Sequence, residues 1–159
     1  MRIWRITARK HIETVFSGVG GLYVSGRWHP QGYKISYTSE SLALASLEVF
    51  VHSESTDIPL VCVSAIIPDT TPILEITTDI LPANWQEVSA YPVLQEIGLK
   101  WLQAMEYPVL KVPSAIIPVE YNYLINPEHP DLQLETEQVL EFQFDRRMWK
   151  QQGEIYTSN

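Results

Sequence analysis

The stretch Ile35–His52, ISYTSESLALASLEVFVH, sets two kinds of pattern back to back. Ile35 to Thr38 reads as a short strand. From Ser41 to His52 apolar residues dominate, and the run is too long for a strand, so a helix is predicted there. Ser39 is placed to cap that helix and Glu40 to sit in its first turn, where negative charge is favoured. A strand that feeds a helix without a break belongs to a mixed α and β architecture.

The neighbouring segments extend this pattern. Arg2 to Ile6 alternates polar and apolar and reads as an opening strand, followed by a helical or irregular piece to Phe16. Gly18, Gly20, Gly21, Gly26 and Gly32 then crowd one window, where the chain must turn tightly or approach something closely. Leu60–Ile67 is a β-branched run closed by Pro68, hence a buried strand, and Ile73–Ile76 reads as another. Tyr91–Met105 is predicted as a second helix. Ser114–Ile117 reads as a strand closed by Pro118, and Gln138–Phe144 as the last strand, with Leu140, Phe142 and Phe144 on one face. The pentapeptide Ser64–Pro68 recurs as Ser114–Pro118, but the flanks share nothing, so it is not a repeat. The expected fold is α+β, a single domain over residues 1–159 with a mixed or antiparallel sheet, and about the last ten residues as a flexible tail.

Composition narrows the function. The net charge is −8 and the eleven Lys and Arg are scattered, so the chain is not expected to grip a phosphate backbone, and nucleic acid is set aside as a direct partner. The single cysteine, Cys62, lies inside an apolar run and reads as a small buried hydrophobe. No signal peptide is legible, and no apolar run approaches the roughly 18 residues of a membrane span, so a cytoplasmic location without membrane contact is expected. His11, His29, His52 and His129 show no metal-ligand spacing, and no metal is expected. Gly18-Val19-Gly20 begins a dinucleotide fingerprint, but Tyr23 stands where the third glycine belongs. No lysine follows a glycine, and no G-x-S-x-G elbow occurs.

Several residues carry chemistry. The helical register aligns Ser41, Ala45, Glu48 and His52 along one stripe of a helix whose other positions are apolar except Ser46, so it is expected to be buried. A carboxylate there must be paired, protonated or facing a cavity. In Gly26-Arg27-Trp28-His29 the arginine is suited to bind carboxylate or phosphate bidentately, although the same residues also suit a surface turn. Tyr37, at the strand's end, can stack on a ligand ring or simply fill the core. Ser114 and Asn126 are candidate donors to a ligand. Turn formation competes for the Asn122–Pro130 segment, which contains the Asn126-Pro127 and His129-Pro130 steps.

The order of these residues is informative. Arg5 in an opening strand, Gly26-Arg27-Trp28, Gly32, Tyr37-Thr38-Ser39 and Ala43–Glu48 resemble the RES-domain toxin family. Later landmarks fit too: Leu81-Pro82 with Trp85, Gly98 with Trp101-Leu102, Val112-Pro113-Ser114, Asn122–Pro130, and Phe142 with Asp145-Arg146-Arg147. The family is named for Arg, Glu and Ser, and the matches here are Arg27, Glu48 and Ser114. His29 departs from the asparagine found in many members.

The resemblance implies a fold related to the ADP-ribosyltransferase toxins and NAD as substrate, with no further cofactor. It implies cleavage of the nicotinamide–ribose bond. A helix-turn-helix antitoxin of the Xre type would be the partner that silences the toxin by blocking its site. Glu48 would stabilise the growing positive charge on the ribose, Arg27 would hold ribose or pyrophosphate, and Tyr37 would stack on nicotinamide. Ser114 would orient nicotinamide or ribose, Arg5 would reach the phosphates, and His52 would stand behind Glu48. NAD consumption with phosphate or water as acceptor, transfer of ADP-ribose to a host protein, and a non-catalytic module that keeps the fold all remain open at this stage.

Overall fold

A computed structural model describes residues 1–52 and 58–149. The tail expected at the C-terminus lies outside them. Seven strands form one sheet: β1 (Arg2–Ala8), β2 (Ser36–Ser39), β3 (Leu60–Ile66), β4 (Ile73–Glu75), β5 (Val109–Pro113), β6 (Tyr121–Ile125) and β7 (Glu135–Phe142). Two helices accompany them, α1 (Leu42–Phe50) and α2 (Tyr91–Ala104). The sheet order is β4-β5-β6-β2-β1-β3-β7, with β4 and β5 parallel and every other pair antiparallel. The mixed single-domain α+β fold expected from the sequence is the one observed.

Alternation along the strands builds a core on each face. Leu110, Val112 and Leu124 join Trp28 and Trp85 against α2, which contributes Leu94 and Trp101. Their neighbours Val109, Tyr123 and Ile125 face the opposite way, against Ile3, Ala65 and Ile67. A third cluster, Ile6, Ala45 and Cys62, seats α1 on β1 and β3. Cys62 is buried there as a small hydrophobe. β3 runs between β1 and β7 and is buried along nearly its whole length, which explains its unbroken apolar run. β7 is the outer strand and exposed up to Glu141, while Phe142 packs against the core; its acids Glu137 and Glu141 pair with Arg2 and Arg9.

The structure corrects several expected elements. The cap of α1 is Ser41, whose hydroxyl accepts the Leu44 N–H. Ser39 is still strand, and Glu40 turns away to accept the Tyr121 N–H. Only Leu44 and Ala45 of α1 are fully buried, because the helix covers the sheet with one side and borders a cavity with the other. Ser114–Ile117 is a turn, since the Ser114 hydroxyl accepts the N–H groups of both Ile116 and Ile117 and takes them out of any ladder. The strands in this region are β5 before the turn and β6 after it, neither of which was expected. β7 begins at Glu135, earlier than expected, and stops at Phe142.

Candidate active site

The ladder between β1 and β2 shrinks to one register pair, Trp4 opposite Ser39. A cavity of about 690 Å³ opens at this seam. β1 contributes Trp4, Arg5 and Ile6 to its wall, and β2 contributes Tyr37, Thr38 and Ser39. The turn Gly26–His29, the α1 residues Ala45, Glu48 and Val49, and Tyr91 and Asn122 complete most of the lining. Such a volume suits a ligand of nucleotide size.

Among the described lining residues Glu48 is the one carboxylate. Ser114 Oγ donates to its Oε1 at 2.8 Å, and Asn122 Nδ2 donates to the same oxygen at 2.6 Å. Among the described residues no hydrogen bond reaches Oε2. Ser114 is fully buried, and its hydroxyl is committed three times over, to Glu48 and to two backbone N–H groups. The structure thus places Ser114 behind Glu48 as a residue that positions it, and outside the cavity lining.

Arg5 is an arginine held in the wall without a carboxylate. One nitrogen, Nη1, donates to the Tyr37 carbonyl at 2.6 Å, while Nε is buried with no partner among the described residues. Burial pushes its pKa down to about 10, against a small upward pull from Tyr37, so it stays a cation at neutral pH. A cation whose buried Nε is an idle donor is a place for an anion.

Arg27 is set by α2. Gly98 in α2 leaves room for the Trp28 carbonyl, since a Cβ there would come within 1.9 Å of that oxygen. Gln95 of the same helix donates to the Gly26 carbonyl at 2.8 Å. The turn is thereby fixed on both sides of Arg27. Its guanidinium donates to the Trp85 carbonyl at 2.9 Å and lies over the Tyr91 ring, 4.8 Å from the centroid.

Tyr37 spends its hydroxyl on the protein. It accepts the Trp28 N–H at 3.1 Å and meets His29 Nδ1 at 2.8 Å. Burial pushes its pKa well above the ordinary value, so the hydroxyl keeps its proton. Burial lowers the pKa of His29, with a smaller opposing pull from the Val24 carbonyl.

The remaining expectations divide. His52 lies at the cavity, one turn beyond Glu48. Asn126 does not: its Oδ1 accepts the Glu128 N–H and its Nδ2 points to Met105 Sδ, so it shapes a turn away from the cavity. The asparagine that serves the site is Asn122, which sequence reading missed. Its signal was a polar residue within the apolar run Tyr121–Ile125, opposite Ser39 in the ladder. Among the described residues no group of three or more His, Cys, Asp or Glu side chains is arranged to hold a metal ion. Nor is any described helix long and apolar enough to cross a membrane.

A family model for the RES domain matches residues 2–147. This chain belongs to the RES domain family. It is 36% identical to "Toxin Res" of Photorhabdus laumondii, over 94% of this chain and 98% of that one. It is 39% identical to "Toxin Res" of Pseudomonas putida, over 94% of this chain and all of the other. It is 38% identical to the "Prs ADP-ribosylating toxin" of Sphingobium sp., over 91% and 94%. The fold of this RES domain also matches a chain in the toxin–antitoxin complex MbcT–MbcA of M. tuberculosis. The TM-score is 0.72 at 16% identity, over 89% of this chain and 84% of that one.

Proposed function

We propose that this RES-domain toxin cleaves NAD at the nicotinamide–ribose bond, with Glu48 as the acidic group beside the ribose. The observation that carries the reading is a carboxylate pinned by Ser114 and Asn122 in the wall of a cavity that also holds the cations Arg5 and Arg27. Breaking the bond sends its electron pair to the ring nitrogen, and nicotinamide leaves neutral. No acid is needed to help it go. The developing positive charge on the ribose is what must be met, as in glycoside cleavage. Glu48 meets that charge, Arg5 and Arg27 hold the pyrophosphate, and the Tyr37 ring offers a face for nicotinamide. Phosphate or water then attacks the ribose carbon.

A second reading, transfer of ADP-ribose to a protein side chain, is supported by the similarity to the Sphingobium toxin. An antitoxin is the expected partner, as the structural relative was solved in such a complex. A helix-turn-helix protein of the Xre type would cap the cavity, whose mouth includes the exposed apolar side chains Val24 and Val51.

The test is to incubate purified protein with NAD, with and without phosphate, and to follow nicotinamide by proton NMR. Release that rises with phosphate identifies phosphorolysis. Release indifferent to phosphate identifies hydrolysis. If neither buffer gives release but labelled NAD marks a protein in a cell lysate, the transferase reading replaces the first. No release and no labelling would discard both.

A further inference from the structure

Ser39 and Asn122 face each other across the β2–β6 ladder. The Ser39 hydroxyl donates to Asn122 Oδ1 at 2.6 Å, and Asn122 Nδ2 donates to Glu48 Oε1 at 2.6 Å. A carboxylate only accepts, so the amide must turn its NH₂ toward Glu48. Its carbonyl then faces Ser39, whose hydroxyl must donate. Three side chains from β2, β6 and α1 are thus linked with every donor running toward the acid. Ser39 is buried to 3% exposure, so water does not easily replace its hydroxyl at the amide carbonyl. Hydrogen bonds in such a chain polarise one another, and each strengthens the next.

The same arrangement assigns roles to the two oxygens of Glu48. Ser114 and Asn122 both use Oε1, from opposite ends of the β5–β6 connection. One oxygen is held by the protein, and the other is left for the ribose. Precise placement of a reacting group matters greatly to rate, so whatever fixes Oε1 also sets the position of Oε2.

We propose that Ser39 and Asn122 are a positioning relay that holds Glu48 through Oε1, so that the substrate meets Oε2 alone. This rests on Glu48 being the acid of the proposed reaction. A hydrogen bond to a charged group is lost with Asn122→Asp, which also sets acid against acid, so kcat for nicotinamide release falls about 10- to 100-fold. Ser39→Ala removes only the support for the amide, and kcat falls about 3- to 10-fold. Neither residue binds substrate in this scheme, so KM stays within about 3-fold. Ser39→Thr keeps a hydroxyl in a strand that tolerates β-branching, and it restores the rate.

Kinetics of wild type and the three variants test this, with circular dichroism confirming that each is folded. A raised KM with unchanged kcat, or a Ser39→Thr protein as slow as Ser39→Ala, overturns the proposal. The second measurement needs no activity. In ¹⁵N-labelled protein the Asn122 side-chain amide, identified by its absence in Asn122→Asp, should exchange with solvent slowly and should do so faster in Ser39→Ala. An amide that exchanges like an exposed asparagine, or that ignores Ser39→Ala, refutes the relay. If wild type releases no nicotinamide, the NAD reading fails while the amide measurement still decides the relay.

Discussion

Replacing Glu48 by Gln removes one negative charge and almost nothing else. Ser114 Oγ and Asn122 Nδ2 both meet Oε1, at 2.8 and 2.6 Å, and a glutamine amide also presents an acceptor oxygen there. Its nitrogen then takes the place of Oε2. The two bonds lose their charge assistance, but a charge need no longer be held in a half-buried wall, so the effects oppose each other. The melting temperature is expected to move by no more than about 3 °C, since about 1 kcal/mol is worth roughly 2–4 °C at this chain length. The rate should behave quite differently. A unit charge about 4 Å from an oxocarbenium-like ribose, in a site with an effective dielectric near 20, contributes about 4 kcal/mol. That corresponds to about a 10³-fold loss in kcat, with little change in KM if the charge acts only in the transition state. Nicotinamide release at saturating NAD reads the rate, and differential scanning fluorimetry reads the stability. A folded Glu48→Gln protein within 10-fold of wild type would remove Glu48 from the chemistry.

Other substitutions separate the remaining roles. Ser114→Ala should lower kcat about 10-fold at nearly constant KM and cost about 1–3 kcal/mol of stability, because Glu48 and two backbone N–H groups lose their partner; a raised KM alone would place Ser114 on the substrate instead. Arg27→Ala should raise KM about 10-fold or more, since it withdraws a charged anion donor, and steady-state kinetics that show neither constant moving would take Arg27 out of the site. Gly98→Ala drives a Cβ to 1.9 Å from the Trp28 carbonyl, and a loss of about 1–3 kcal/mol in urea melts is expected from such overpacking; an unchanged midpoint would show that α2 does not fix the Arg27 turn. His29 has a pKa lowered by burial from 6.5, so the unfolded chain binds its proton first as pH falls. Its contribution to stability is flat above about pH 6.5 and declines below it, by at most about 1.4 kcal/mol per pH unit. His29→Gln should flatten that part of the acid limb, and identical pH profiles of melting temperature would show that the ring does not titrate as its burial requires.

The limits of sequence reading show most clearly in a pentapeptide that occurs twice. Ser64–Pro68 and Ser114–Pro118 have the same five residues, and both were expected as strand. The first forms the end of β3, because the Ser64 hydroxyl reaches across to Glu137 on β7 and leaves its backbone to the ladder. In the second the hydroxyl folds back on its own chain and accepts two N–H groups, which makes a turn. The five residues are the same, so what separates them lies outside the pentapeptide, in the partner each serine hydroxyl finds. The same holds at the start of α1. The sequence reading put the cap at Ser39, but Asn122 claims that hydroxyl and Ser41 caps the helix instead.

Arg27, Tyr37 and Glu48 were named as site residues through the resemblance to the RES family, and the fold brings all three to one cavity. Asn126 and Asn122 exchanged roles for a physical reason. The two are four residues apart and would share a face of one strand, but β6 ends at Ile125. Beyond that point the Asn-Pro step bends the chain, and the Asn126 side chain serves the bend. Asn122 stays in the ladder, and its value to the site depends on which strand lies beside it. That strand is β2, and the ladder on β2's other side is nearly missing, with Trp4 and Ser39 as the one register pair to β1. A full β1–β2 ladder would close the seam and leave Arg5 and Glu48 no cavity to line. The site therefore arises from an interruption in strand pairing between segments more than thirty residues apart, a feature that no local pattern in either segment encodes.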